Sequence, residues 1–285
     1  MKKLKVAIGS ITTLGMLEVF RELSCFRVRI YKIDVPKKWR PDEPVHIVFL
    51  SDLHGKKYGK NNEKLINAVR KESPDLIISG GDMLIRGREN TAIDAAELLK
   101  KISVIAPVYC ANGNHEQRMR ENPREYKDLY QRYRGTLQSY VHFLENDSID
   151  LFIKGMKMTI TGLEIPISCY GHFREKPLLM KEITDCVGIA EEDSYQILLA
   201  HNPVYMKQYQ EWGANLTLAG HLHGGIVRIP GIGGVITPQV QLFPKYSGDM
   251  YHEGDHYGIV SRGLGTHTVN IRLFNMAELV SVSLE

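Results

Sequence analysis

Cysteine is scarce in this chain. Cys25, Cys110, Cys169 and Cys186 are scattered, and no two of them form a C-x-x-C pair. That excludes a zinc ribbon and argues against a disulfide framework, so the four read as buried or free thiols. An excess of charge of one sign is also missing. The net charge is +3 and the basic residues are spread along the sequence, so no nucleic acid is expected as a partner. No internal repeat and no clear domain linker stand out. Hydrophobic residues at 43% and charged residues at 24% exclude a disordered chain, a collagen-like repeat and a polytopic membrane protein. A chain of 285 residues can bury one large core.

A long apolar run is lacking too. Lys2, Lys3 and Lys5 open the chain, and Val6 to Leu17 is free of charge. This is shorter than the ~20 residues that span a bilayer, and Gly9, Ser10, Thr12, Thr13 and Gly15 dilute it. The segment reads as a membrane anchor or interfacial helix, with a cleaved leader or an ordinary helix as alternatives. Residues 1–26 are therefore taken as an N-terminal hydrophobic anchor segment and 27–285 as one catalytic domain. Membrane association through the N-terminus is the expected location, with a cytoplasmic or exported protein otherwise.

What is present is a β-α-β-α-β rhythm. Alternation over Arg27 to Val35 predicts a first strand. Val45 to Leu50 is an apolar run suited to a strand buried on both faces, and Leu76 to Ile78 and Val104 to Cys110 follow. Helical spacing falls between them, in Leu65, Ile66 and Val69 and in Ala95, Leu98, Leu99 and Ile102. Glu116 to Asn146 is Arg- and Tyr-rich and reads as a helical excursion from the core. Beyond it, strands are predicted at Met158 to Thr161, Gln196 to Ala200, Leu216 to Ala219, Ile226 to Ile229, Gly258 to Ser261 and Asn270 to Phe274. This pattern predicts a layered α/β fold, in which ligands gather beyond the C-terminal strand ends.

The chemically loaded residues fall at those ends. Asp52 and His54, two apart on an extended segment, would face one side and chelate a cation. Asp82 follows two glycines, and its two oxygens could bridge a pair of cations. Asn114 offers a neutral oxygen, and His115 beside it could stay free of metal and donate a proton. His201 closes one strand, and His221 and His223 close the next among glycines. Taken singly, each reads as a turn or surface residue. Together they make seven ligands with one shared, which suits two divalent cations about 3.5–4 Å apart. Neutral His and Asn with carboxylates favour Mn, Fe, Zn or Co over a soft, thiolate-seeking metal.

Asp52-Leu53-His54, Gly81-Asp82, Gly113-Asn114-His115-Glu116, His201 and Gly220-His221-Leu222-His223 resemble, in order, the signature of the calcineurin-like metallophosphoesterases. Gly224-Gly225, Ile229-Pro230-Gly231, Leu242 to Tyr246, Ser261 to Thr266 and Ile271-Arg272-Leu273-Phe274 resemble its YkuE/YaeI-type branch, whose members are commonly membrane-associated or exported. Two departures stand out: Met83-Leu84-Ile85, where many relatives carry a second Asp, and Met276, where they usually have Pro. The resemblance implies a four-layer α/β/β/α sandwich with two mixed sheets. It implies one ion on Asp52, His54, Asp82 and His223 and another on Asp82, Asn114, His201 and His221, with His115 as general acid and Glu116 orienting it. The activity implied is hydrolysis of a phosphate ester by metal-activated hydroxide, with a nucleotide-sugar or lipid-type diester as the expected substrate. A phosphomonoesterase and a non-catalytic metal-binding scaffold are the alternatives. Arg118, Arg120, Arg124, Arg132 and Arg134 among tyrosines, and the loop from Gly231 to Tyr246, are candidate substrate walls. His142, His172, His252, His256 and His267 match no ligand block and read as structural or surface.

Overall fold

The structure, a computed structural model, describes residues 2–171, 176–237, 240–266 and 269–285, with side chains from Thr13 onward. Helix α1 (Lys2–Ser24) precedes β1 (Phe26–Ile33), β2 (Val45–Leu50), α2 (Glu63–Lys71), β3 (Leu76–Ser79), α3 (Glu89–Ile102) and β4 (Val108–Cys110). Then come α4 (Asn114–Glu121), α5 (Leu129–Leu137), β5 (His142–Phe143), β6 (Asp147–Ile153), β7 (Met156–Leu163), α6 (Met180–Val187), β8 (Tyr195–Ala200), α7 (Met206–Trp212) and β9 (Leu216–Ala219). The chain closes with β10 (Val227–Ile229), β11 (Gly233–Ile236), β12 (Asp249–Glu253), β13 (His256–Val260) and β14 (Ala277–Leu284).

Two mixed sheets stack face to face, in the orders β1-β14-β2-β3-β4-β5 and β12-β13-β9-β8-β7-β6. Strand β2 shows why. Ile47 and Phe49 face Ile160, Ile197 and Leu218 of the other sheet, whereas Val48 and Leu50 face the helices α2 and α3. Period-2 alternation sends every residue of such a strand into one core or the other. The second sheet is covered outside by α6 and α7, through Ile183, Tyr209 and Trp212. The four-layer α/β/β/α sandwich with two mixed sheets is thus observed. Parallel neighbours β2, β3 and β4, and β7, β8 and β9, run their C-terminal ends toward the same rim.

Four expectations change. The segment from Glu116 to Asn146 is no excursion: Met119, Leu129, Tyr130, Tyr133 and Leu137 belong to the helix-side core. Its arginines largely serve local ion pairs, Arg120 with Glu164, Arg132 with Glu89 and Arg134 with Glu145. Asn270 to Phe274 forms no strand beyond an isolated bridge from Leu273 to Val227, because Arg272 turns inward and Phe274 adopts φ 55°. Strand β4 begins only at Val108, after Pro107, rather than at Val104. Strands β6, β12 and β14 escaped the apolar-run criterion. In β14, Ser281 and Ser283 are buried in alternation with Val280, Val282 and Leu284.

Helix α1 is tied to the domain at its C-terminal end, where buried Glu22 accepts from the backbone N–H of Asn275 at 2.8 Å. No helix is long and apolar enough to cross a membrane among the described residues. The four thiols are free. His142 stacks on Tyr109, His252 on Tyr257, and His256 is buried beside Thr217. His172 and His267 lie outside the described residues, as do Pro238 and Gln239 of the Gly231–Tyr246 loop.

Candidate metal centre

Immediately after β2, β3 and β9 the backbone turns sharply into left-handed conformation. Asp52 (φ 53°), His54 (φ 47°), Asp82 (φ 53°), His221 (φ 69°) and His223 (φ 52°) all adopt it. The extended Asp52–His54 segment expected from the sequence is therefore a strained turn. Each such non-glycine residue costs on the order of 1 kcal/mol and persists only where its surroundings hold it. Concentration of this strain in five candidate ligands marks the rim as a functional site.

The surroundings are identifiable. Both oxygens of buried Glu116 accept backbone N–H groups: Oε2 from Asp82 at 2.9 Å and Gly113 at 3.1 Å, Oε1 from Met83 at 2.9 Å and, more weakly, Leu84 at 3.4 Å. Glu116 thus clamps the Asp82 turn, rather than orienting the His115 ring as the family resemblance implied. Burial and the charge of Asp82 both push its carboxyl upward. Gly81 and Gly113 lie back to back, and a Cβ on either would collide with the other turn. The carboxylate of Asp52 accepts the His221 N–H at 3.0 Å and the Ser51 hydroxyl at 2.6 Å, which ties the end of β2 to the end of β9.

The side chains then converge. Asp82 Oδ1 accepts the His115 N–H at 2.9 Å. Its Oδ2 stands 3.3 Å from His201 Nε2, 3.6 Å from His54 Nε2 and 4.0 Å from His115 Nε2. Asp52 Oδ1 lies 3.4 Å from His223 Nε2, which is 3.2 Å from His54 Nε2. Three overlapping groups could each hold a cation: Asp52, His54 and His223; Asp82, His201 and His221; and His54, Asp82 and His115. The structure brings all the sequence-derived histidine and aspartate side chains into these groups. Asn114 sits at the start of α4 with its buried Oδ1 lacking a hydrogen-bond partner among the described residues.

Tautomers are set from behind. His201 Nδ1–H donates to Gly80 O at 2.7 Å and His223 Nδ1–H to Gly265 O at 3.2 Å. A carbonyl only accepts, so each Nδ1 carries a proton and each Nε2 is turned to the cluster, where the neutral imidazole offers a lone pair, the arrangement that orients metal-binding imidazoles. Burial works against Asp82 ionisation, but the nearby His115, His201 and His54 hold its carboxyl well below the ordinary range. Burial would lower His201, yet the Asp82 charge carries it up to about 10. Burial first, with Arg272 adding to it, takes His223 down to about 4. His221 is lowered by burial and by His201.

Two residues to which motif reading gave no role support the C-terminal half. Arg272 is fully buried and gives its guanidinium to the carbonyls of Arg262 (2.8 Å), Gly263 (3.2 Å), Gly265 (2.6 Å) and Asn275 (3.0 Å). Asn275 Nδ2 donates to His223 O at 2.8 Å and to Gly225 O. In the sequence Arg272 shows only as part of the Ile271–Phe274 block, a short loop beyond Arg262-Gly263-Leu264-Gly265.

The chain is similar to several known proteins. F40B5.2 of Caenorhabditis elegans is 26% identical over 84% of this chain, which spans about half (48%) of that protein's length. The uncharacterized metallophosphoesterase YkuE of Bacillus subtilis is 26% identical over 84% of this chain and 78% of its own. Phosphodiesterase YaeI of Escherichia coli is 24% identical over 78% and 76%. The clustered His and Asp side chains fit divalent metal binding, as expected of a metal-dependent phosphoester hydrolase. The model of the calcineurin-like phosphoesterases matches residues 45–225, well over half of the sequence, and the chain belongs to that family.

Proposed function

We propose that this protein is a dinuclear phosphodiesterase. One cation would be held by Asp52, His54, Asp82 and His223, the other by Asp82, Asn114, His201 and His221, with Mn, Fe, Zn or Co as the candidate ions. The observation that carries this reading is Asp82 Oδ2, one oxygen within 3.6 Å of both His54 Nε2 and His201 Nε2, a bridge between two otherwise separate donor sets. When bound, such a pair of ions acidifies a water to supply hydroxide near neutral pH and neutralises charge on the phosphoryl oxygens.

The chain's own groups do the rest. The His115 N–H occupies Asp82 Oδ1, and Oδ2 is turned toward the His54 and His201 imidazoles that would hold the ions with it. The Arg86 N–H donates to His115 Nδ1 at 2.9 Å, so the proton of that imidazole sits on Nε2, on the side of the cluster. From there it is offered to the leaving oxygen, a contribution worth about 10²–10⁴ in rate. A diester is supported by the printed name of YaeI. A nucleotide-sugar or lipid-type diester is supported by Lys2, Lys3 and Lys5 followed by the charge-free Val6–Leu17 in α1, which suits a protein held at a membrane.

The test is hydrolysis of bis-(p-nitrophenyl) phosphate beside the monoester, after chelator treatment and re-addition of each metal. Metal-dependent cleavage of the diester is expected, lost in Asp82→Ala together with metal retention, and reduced in His115→Ala with metal retained. Preference for the monoester would replace the reading with a phosphatase. A folded, metal-loaded protein without turnover would replace it with a scaffold.

A further inference from the structure

The donor set of the second ion is drawn from both sheets. Asp82 and Asn114 follow β3 and β4 of the first, whereas His201 and His221 follow β8 and β9 of the second. An apolar core lies between the sheets. Apolar burial is non-directional. It holds two sheets about 10 Å apart but does not fix ligands to the few tenths of an ångström that coordination requires. Directional ties are needed for that. His201 is tied to the first sheet through Gly80 O, and His221 through the Asp52 carboxylate. Asn114, whose Oδ1 accepts no hydrogen bond among the described residues, has still to be set against the second sheet.

Glu164 supplies that tie. It is the first residue after β7 (Met156–Leu163), and the parallel register sets Leu163 opposite Ala200. Glu164 therefore stands at the strand end beside His201, one strand spacing or about 4.8 Å away. Its buried side chain reaches across to the first sheet. Oε1 accepts from Asn112 Nδ2 at 2.7 Å, two residues before Asn114. Oε2 pairs with the guanidinium of Arg120, on α4, the helix that Asn114 opens. One carboxylate thus grips the chain on both sides of Asn114. Gln117 Nε2 of the same helix adds a link to Ile165 O at 3.0 Å. Asn112 is held in turn, because it also donates to the Tyr130 hydroxyl at 2.8 Å, which donates to Glu145. For stability alone, a buried carboxylate paired with arginine offers little that apolar groups would not. Charge-assisted hydrogen bonds do fix geometry.

We propose that Glu164 is a positioning residue for the second ion. It sets the separation of Asn114 from His201, and through it the affinity of the site formed by Asp82, Asn114, His201 and His221. The assignment rests on the dinuclear reading above.

The experiment is calorimetric titration of the chelator-treated full chain with Mn, with bis-(p-nitrophenyl) phosphate turnover followed against Mn concentration. Asn114→Ala identifies which binding step belongs to the second ion. Glu164→Ala is expected to weaken that step about 10–100-fold and leave the other unchanged. The Mn dependence of turnover should shift by the same factor, with the parent kcat regained at saturating Mn. Glu164→Gln keeps an acceptor for Asn112 and should recover most of the affinity. Asn112→Ala leaves the Glu164–Arg120 pair intact and should weaken the same step, which serves where Glu164→Ala does not fold. In an Asn114→Ala background, Glu164→Ala should cost no further affinity, since it acts through Asn114. Two steps in the parent that both shift equally in Glu164→Ala, or that both stay unchanged, would overturn the proposal. So would a full additional loss in the double variant. A single step in the parent would instead strike the dinuclear reading, and the role of Glu164 with it.

Discussion

The two halves of the metal centre are held in different ways. The half built on the first sheet, Asp52, His54, Asp82 and Asn114, is clamped by hydrogen bonds from close neighbours in the motif: Glu116 grips the Asp82 turn, and Gly81 and Gly113 nest against each other. The half built on the second sheet, His201, His221 and His223, leans on residues far along the chain. Arg272 and Asn275 hold the carbonyls behind His223, and buried Glu22 of α1 in turn holds the Asn275 amide. The first half keeps its Asp82 turn with its own motif, and only its Asp52 turn draws on the later chain, through the N–H groups of His221 and Gly265. The second depends on the C-terminal segment and, through Glu22, on the N-terminal helix.

The most severe way to break the first half is Glu116→Ala. It leaves the amides of Asp82, Met83, Leu84 and Gly113 buried without an acceptor, at about 1 kcal/mol or more each, so a loss of about 4 kcal/mol is expected. Glu116→Gln keeps one acceptor oxygen and should lose roughly half of that. Urea unfolding of the two variants checks this, and a loss below about 1 kcal/mol for the alanine variant would show that the turn is held elsewhere. Arg272→Ala is the matching attack on the second half. It frees four buried carbonyls and removes a buried cation, and a loss of about 3 kcal/mol is expected. Arg272→Lys sharpens the comparison, because it keeps the charge but cannot span the four carbonyls. Calorimetric titration with Mn should show one binding step weakened about tenfold or more and the other unchanged, as supporting-shell changes typically do. If both steps shift together, the halves are not separately held.

This difference also explains what the sequence discloses. Asp52, His54, Asp82, His201, His221 and His223 stand at strand ends beside glycine or in a short cluster, so local pattern and chemistry suffice to single them out. Their left-handed backbones are not legible, because Asp-Leu-His is equally compatible with an extended strand. Arg272 sits among Ile271, Leu273 and Phe274 and reads as a strand residue; only the fold reveals that it faces carbonyls. The Arg-rich stretch after Glu116 looks solvated, yet Leu129, Tyr130, Tyr133 and Leu137 recur at helical spacing and build the core of the first half. Charged residues on the outer face masked that periodicity. Strand β14 is not legible because its Ser281 and Ser283 suggest a polar edge, whereas it lies inside the sheet, between β1 and β2.

The smallest effect concerns acid, and it also separates the halves. His256 of β13 is buried against Thr217 of β9, with its Nε2 3.0 Å from the hydroxyl. Burial takes its pKa down to about 4, with Glu253 opposing and His252 assisting. A histidine in the unfolded chain titrates near 6.5. The unfolded state therefore binds a proton that the folded state refuses between those values, and stability falls as pH drops from about 6.5 toward 4. Between pH 7 and pH 5 this one group should cost about 2 kcal/mol. His256→Gln removes the titration while keeping a polar partner for Thr217. Its urea midpoint should fall less than that of the parent over the same interval, with little difference between them at pH 7 beyond the repacking cost. The acid-sensitive group lies in the second sheet, away from the metal centre, so the effect should persist in saturating metal. If added metal abolishes the difference between parent and variant, the acid response belongs to the clustered ligands instead, and the second sheet is no weaker than the first.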